Sequence, residues 1–214
     1  QYIQIDDGYQ RLPVKYPVTS SLADAWLIPN DDFPSGFKSV CERIKALGLR
    51  PGLWISADAE EIEKEADGSD IRLRGPDGKR VTGFWMRAIP DCLPGTIEKH
   101  IVPLYRGIVE KGFEYVKTDQ IRHLLADALH EAVRGGIMTN DEAQGRFRNY
   151  MERCRDALGE DVFYLASWGV LSEVVGVADA CRISADASTT WKAVRMQAIE
   201  SARWWHAHRI LFQT

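Results

Sequence analysis

Short apolar segments alternate along the chain with segments whose apolar residues recur at helical spacing. The extended apolar segments are residues 2–6, 49–56, 113–119, 162–167, 178–184 and 209–213. Between them, residues such as Phe37, Cys41 and Ile44 lie three or four positions apart, and Gly48 follows as a stop signal. Strands that alternate with helices are typical of a parallel sheet built from βα units. The pattern therefore predicts an α/β fold with about six strands.

Three more helices follow from the same spacing. Thr96 is predicted to cap a helix that ends at Gly112, and Asn140 to open one that Gly159 closes. A long helix is predicted to begin at about Ser188. Each of these segments lies between two of the extended ones, which keeps the βα alternation intact.

Loop lengths favour a barrel over an open doubly wound sheet, which is the second choice. The turns from helix into strand are short, whereas residues 7–35 and 57–95 form long connections after the first two strands. Long loops in barrels collect at the carboxyl ends of the strands, where binding takes place. Six strands would leave two unpaired edges, so we expect one more strand before Gln1 and one after Thr214. The prediction is a single (β/α)8 TIM-barrel domain over residues 1–214, truncated at both ends.

Composition and charge exclude several kinds of function. The chain is 45% hydrophobic, which allows a sizeable core, and carries a net charge of −4 without a basic block, which argues against nucleic acid. No apolar run is long enough to suggest a membrane segment. The four cysteines match no zinc or redox spacing and are expected to be free thiols. His206 and His208 are predicted to lie on different faces of a helix, so we expect surface or packing roles and no metal site.

Three of the extended segments end on aspartate. They lead into Asp6 and Asp7, into Asp119 and into Asp186. Because side chains two apart share a face of a strand, Lys117 should point the same way as Asp119. Inward charges at a strand end predict a polar pocket, although a layer of buried ion pairs such as Lys117 with Asp119 is the alternative. Asp6 and Asp7 alone are more typical of a solvated turn.

Arg182 repeats this arrangement on the fifth strand, where Asp186 follows on the same side if the strand continues that far. Seven tryptophans are a high count. Core filling and sugar stacking are about equally compatible with Trp26 and Trp54, which are predicted to lie near strand ends.

Several motifs resemble those of one enzyme family. In chain order they are IDDGYQ at 5–10, DAWLIPN at 24–30, FPSG at 33–36, GLRPGLWI at 48–55, KTD at 117–119 and RISAD at 182–186. Together they resemble the melibiase-type α-galactosidases, in particular the bacterial branch for which raffinose-type oligosaccharides are typical substrates. The resemblance covers nearly the whole chain and implies a TIM-barrel catalytic domain.

The resemblance also implies the catalytic roles. Asp119 would be the nucleophile and Asp186 the acid/base of a retaining, double-displacement mechanism, which requires two carboxyl groups about 5–5.5 Å apart. Asp6 and Asp7 would hold the 4- and 6-hydroxyls of the sugar and favour galactose.

Other positions would complete a sugar pocket. By the same resemblance, Lys117 and Arg182 would bind ring hydroxyls, and Trp26 and Trp54 would form walls. Ser167 falls where the family often has Cys or Glu in contact with the 2-substituent.

The implied function is hydrolysis of terminal α-galactosyl residues from oligosaccharides. The expected partner is an oligosaccharide with terminal α-galactose, with no cofactor, metal, nucleic acid or membrane, and assembly into an oligomer stays open. Two alternatives remain: transfer to a sugar acceptor, as in raffinose or stachyose synthesis, and a non-catalytic sugar-binding barrel fragment.

Overall fold

Six parallel strands form one sheet in the computed structural model, which describes residues 1–11, 21–57, 70–84, 86, 88–167, 172–182, 189–206 and 212–213. The strands are β1 (Tyr2–Ile5), β2 (Arg50–Ser56), β3 (Tyr115–Asp119), β4 (Phe163–Ala166), β5 (Ala180–Cys181) and β6 (Phe212–Gln213). Each lies within one of the predicted extended segments. β5 is much shorter than the predicted 178–184, of which residues 183–184 lie outside the described part.

The strands follow one another across the sheet in sequence order, β1-β2-β3-β4-β5-β6, and every neighbouring pair is parallel. A doubly wound sheet reverses its strand order at a switch point, whereas a (β/α) barrel adds each new strand on the same side. The observed order is that of a barrel, so the first choice of fold is confirmed and the open doubly wound alternative is not.

Helices occupy the connections between the strands. The α-helices are α1 (Leu22–Leu27), α2 (Gly36–Ala46), α3 (Pro94–Thr96), α4 (Val102–Glu110), α5 (Ile121–His123), α6 (His130–Arg134), α7 (Asn140–Leu158) and α8 (Trp191–Arg203). A π-helical segment, Ile97–Ile101, joins α3 to α4, and another, Leu124–Leu129, joins α5 to α6. Ser172–Val174 is a single 3₁₀ turn. None of the described helices is long and apolar enough to cross a membrane.

The helix before β3 begins earlier than predicted. Thr96 is already helical and caps nothing; Leu93 is the N-cap and Pro94 stands in the first turn. The ring of proline fixes φ near its helical value, and its missing N–H is not needed at that position, so Pro94 starts the helix better than Thr96 does. The predicted helix at 140–158 is confirmed. Its N-cap is Thr139, which forms a capping box with Glu142.

The core lies between the sheet and the helices. On β3, Val116 and Thr118 are fully buried on the side that faces the helices, and the Thr118 hydroxyl is 2.8 Å from the hydroxyl of Tyr105 on α4. We call this side of the sheet the outer face. The four cysteines are buried free thiols, as expected, and desolvation raises the pKa of Cys41 to about 11.

Candidate active site

The opposite side of the sheet, which we call the inner face, carries Lys117 and Asp119. Strand register aligns Trp54 with Lys117 and Ser56 with Asp119, so these four side chains point the same way in two successive layers. The layer of Asp119 lies at the carboxyl ends of the strands, where barrel enzymes bind their substrates. The predicted shared face of Lys117 and Asp119 is therefore observed.

Asp119 is held through both of its carboxylate oxygens. Its Oδ2 accepts a hydrogen bond of 3.2 Å from Nε1 of Trp54, and its Oδ1 accepts one of 2.9 Å from the backbone N–H of Gln120. A guanidinium nitrogen of Arg182, on the segment that follows β5, lies 3.9 Å from Oδ1. The two N–H donors fix the orientation of the carboxylate. The side chain is 18% exposed, so it remains open to a ligand.

Lys117 forms its ion pair with Asp6 and not with Asp119 of its own strand. Its Nζ lies 3.5 Å from Oδ2 of Asp6, which follows β1, and the pairing of Lys117 with Asp119 considered from the sequence is wrong. Residues two apart on a strand are separated by about 6.6 Å along the backbone. A long lysine side chain can instead reach across the intervening strand β2 to the end of β1. The two ion pairs Lys117–Asp6 and Arg182–Asp119 thus connect different strands.

Asp6 and Asp7 form a hydrogen-bonded turn whose carboxylates differ in their surroundings. Oδ1 of Asp7 accepts hydrogen bonds of 2.8 Å from the backbone of Gly8 and from Nε2 of Gln10, both within its own turn. Oδ2 of Asp6 is contacted instead by Gln4 and by Lys117 of the inner face. The solvated-turn interpretation therefore suits Asp7, whereas Asp6 is connected to the charges of the site.

The two predicted tryptophan walls occupy different positions. Trp54 lies on β2, is 8% exposed and donates to Asp119. Trp26 lies on helix α1 and not beside a strand end, is 2% exposed, and packs edge-on against Trp54 with ring centroids 5.7 Å apart. Trp26 thus packs against the ring of Trp54, and Trp54 is the tryptophan that contacts the Asp119 carboxylate.

Ser167 directly follows β4 and is fully buried, with its backbone N–H donating to the carbonyl of Thr118 over 2.9 Å. Its hydroxyl has no hydrogen-bond partner among the described residues. Arg182 has a side chain that is 16% exposed. Asp186, the predicted acid/base, lies outside the described residues, so its role and its separation from Asp119 stay predictions.

Two contributors to the site were not predicted from the sequence. Gln4 donates to Asp6, and the backbone of Gln120 donates to Asp119. The period of two was enough to place Gln4 on the face of Asp6, because the two residues are two apart at the end of β1. Every residue except proline has a backbone N–H, so the sequence does not indicate that the N–H of Gln120 donates to Asp119. Among the described residues, no group of acidic, histidine and cysteine side chains has the arrangement of a metal site.

No protein-family model matches the sequence, but solved structures share its fold. A β-L-arabinopyranosidase of glycoside hydrolase family 27 from Geobacillus stearothermophilus superposes with a TM-score of 0.61 at 19% identity, over 95% of this chain and 49% of the enzyme. A family 36 α-galactosidase from the same species, in complex with raffinose, gives a TM-score of 0.62 at 16% identity, over 88% of this chain and 27% of the enzyme.

The glycoside hydrolase domain of PelA from Pseudomonas aeruginosa is more distant. It gives a TM-score of 0.55 at 15% identity, over 80% of this chain and 68% of that domain. The chain spans about half the length of the family 27 enzyme. These likenesses confirm, at the level of fold, the resemblance to barrel glycoside hydrolases of the α-galactosidase type.

Proposed function

We propose that this chain belongs to the catalytic barrel of a retaining glycoside hydrolase that removes terminal α-galactosyl residues from oligosaccharides. One observation carries the proposal: the Asp119 carboxylate lies at the carboxyl end of β3, fixed by Trp54 and the backbone of Gln120, with Arg182 nearby. The same fold in family 27 and family 36 glycosidases supports it.

The chemistry assigned to Asp119 is nucleophilic attack. One of its carboxylate oxygens forms a bond to the anomeric carbon while the bond from that carbon to the leaving oxygen breaks. Asp186 supplies the proton that the leaving oxygen takes up. Water then attacks the anomeric carbon, gives its proton back to Asp186 and releases Asp119, so that two inversions retain the configuration.

The Lys117–Asp6 pair provides the recognition of the sugar in this proposal. The ammonium of Lys117 is a hydrogen-bond donor and the carboxylate of Asp6 an acceptor, 3.5 Å apart on the inner face. A pyranose hydroxyl both donates and accepts, so it can bridge such a pair. Asp6 is largely exposed, with a side chain 57% accessible, and can accept a hydroxyl without losing a buried partner.

Turnover of aryl glycosides tests the function directly. We expect the protein to hydrolyse 4-nitrophenyl α-galactoside and to leave the β-galactoside and the α-glucoside intact. Proton NMR of the first product should show α-galactose before mutarotation. An initial β-product would contradict retention, and galactose binding without turnover would favour the sugar-binding alternative. Galactosylated products formed with excess sucrose would identify a transferase.

A further inference from the structure

Gln120 adopts a backbone conformation that is rare for its residue type. Its φ is 62° and its ψ is 15°, in the left-handed region. Cys92, with φ 53°, is the other non-glycine residue with positive φ in the part of the chain described. A side chain on Cβ crowds the backbone in this region, so the conformation persists only where surrounding contacts hold it. Such residues cluster at functional sites, which makes the partners of Gln120 informative.

The backbone of Gln120 connects the Asp119 carboxylate to the following helix. Its N–H donates to Oδ1 of Asp119 over 2.9 Å, and its carbonyl accepts the N–H of Leu124 over 2.9 Å. The helix is anchored beyond it, because Ile121 is 1% and Leu124 is 0% exposed. The backbone of Gln120 is therefore held on both sides of its Cα, by Asp119 through the N–H and by Leu124 through the carbonyl.

The positive φ is required by the short distance between the strand and the helix. β3 ends at Asp119 and α5 begins at Ile121, so a single residue must redirect the chain. A residue held to negative φ would move either the helix or the Gln120 amide out of place. Since Asp119 precedes this turn directly, any such movement reaches its carboxylate first.

We propose that Gln120 is a positioning residue: its left-handed backbone conformation directs its amide onto Asp119 and so holds that carboxylate for attack. This inference rests on the proposed function, in which Asp119 is the nucleophile. In this role Gln120 acts on the sugar only through the Asp119 carboxylate. Its role is carried by the backbone, so it depends on whether a substituted residue can adopt positive φ and not on the amide side chain.

Two substitutions separate backbone from side chain. Glycine adopts positive φ freely and keeps the N–H, whereas the β-branched valine disfavours that region. We expect Gln120→Val to lower kcat on 4-nitrophenyl α-galactoside about ten-fold more than Gln120→Gly, since small displacements of a catalytic group reduce rates strongly. The acid limb of the pH profile should shift to higher pH in Gln120→Val, because the ionised carboxylate has lost a donor.

Cys92 provides the matched control. Cys92→Val also places a β-branched residue at a positive φ, in a fully buried position. It should lower the thermal unfolding midpoint while leaving the pH profile of the folded enzyme in place. Equal kcat values and equal pH profiles for Gln120→Val and Gln120→Gly would overturn the inference, provided that the unmutated protein turns over the substrate.

A second readout does not depend on turnover and so separates failure of this inference from failure of the proposed function. In the unmutated protein, the NMR shift of the Gln120 amide proton should follow the ionisation of Asp119 as pH rises, because the two are hydrogen-bonded. That pH response should disappear in Asp119→Asn. A Gln120 amide proton whose chemical shift does not change with pH, or still changes in Asp119→Asn, would overturn the inference. This holds even if the protein proved inactive or Gln120→Val failed to fold.

Discussion

Polar side chains on the two faces of strand β3 have different kinds of partner. On the outer face, the buried hydroxyl of Thr118 is satisfied by Tyr105 of the adjacent helix, 2.8 Å away. On the inner face, Lys117 and Asp119 find their charged partners on other strands, at Asp6 and Arg182. The hydrogen bond on the outer face joins helix α4 to the sheet. The ion pairs on the inner face bring charged side chains of different strands together at the carboxyl ends of the strands.

This difference separates stabilisation from function. A neutral, fully buried hydrogen bond contributes to the free energy of unfolding and offers nothing to a ligand. Ion pairs partly removed from water are a weak source of stability, because desolvation offsets their attraction, so the concentration of two such pairs on one edge of one face requires another explanation. A sugar-binding catalytic site supplies it, and changes on the two faces should therefore have different consequences.

The largest effect is expected from Asp119 on the inner face. Asp119→Ala should lower kcat on an aryl α-galactoside by roughly 10³-fold or more, because the covalent step loses its nucleophile. Azide should restore part of the turnover and yield β-galactosyl azide by a single inversion. Near-normal turnover of this variant would show that Asp119 is not the nucleophile.

Removal of the neighbouring cation should have the next largest effect. Lys117→Met is expected to lower kcat/KM by about 10²-fold, because a charged hydrogen-bond donor to substrate is lost and Asp6 is left without its cation. Lys79→Met is the matched control, since Lys79 pairs with Asp77 at 3.2 Å with a side chain 85% exposed. Steady-state kinetics that show equal losses in both variants would argue against a specific role for Lys117.

The outer face should respond in stability and not in rate. Tyr105→Phe removes the buried hydrogen bond between Tyr105 and Thr118 and should reduce the free energy of unfolding by about 1 kcal/mol. Denaturant titration measures the loss, and kcat of the folded protein should stay within about two-fold of the original. A variant of normal stability but strongly reduced kcat would show that the outer face takes part in function.

The loop after β2 contains an ion-pair cluster in which Asp70 contacts Arg72 and Arg74, and we expect it to contribute to stability. Although desolvation opposes it, the hydrogen bonds from Arg72 and Arg74 lower the pKa of Asp70 overall. A carboxyl whose pKa is lower in the folded state stabilises the protein fully above its unfolded pKa, near 3.9, and this contribution disappears as pH falls through the lowered value.

Asp70→Asn should therefore reduce the free energy of unfolding by about 1–2 kcal/mol at pH 7. The difference between variant and original should shrink as the pH falls below about 4. Unfolding measured across that range checks the prediction, and a difference independent of pH would mean that the charge of Asp70 contributes nothing.

Much of the fold was readable because it depends on local periodicity. The alternation of strand and helix predicted the six strands, and the capping and stop signals around 140–159 gave α7 almost to the residue. The helical region from α5 to α6 was missed although Ile121, Leu125 and Ala132 follow helical spacing. It starts two residues after Asp119 through the left-handed Gln120, with no capping residue to mark it.

The site was predictable one strand at a time. Period-two alternation placed Lys117 and Asp119 together, but which carboxylate Lys117 contacts depends on the distance between strands, which no local pattern contains. Trp26 was expected near a strand end, but its segment forms the short helix α1. Residue type indicates which groups can bind or react, whereas their pairings depend on contacts between strands.

In the proposed mechanism, Asp119 attacks the anomeric carbon. A 5-fluoro-α-galactosyl fluoride tests it directly, because the ring fluorine slows both steps while the fluoride leaving group lets the covalent intermediate accumulate. We predict that the intact mass rises by one glycosyl group, that peptide mapping places the group on Asp119, and that Asp119→Ala takes up none. Labelling of another carboxylate, or steady turnover without any trapped intermediate on Asp119, would contradict this mechanism.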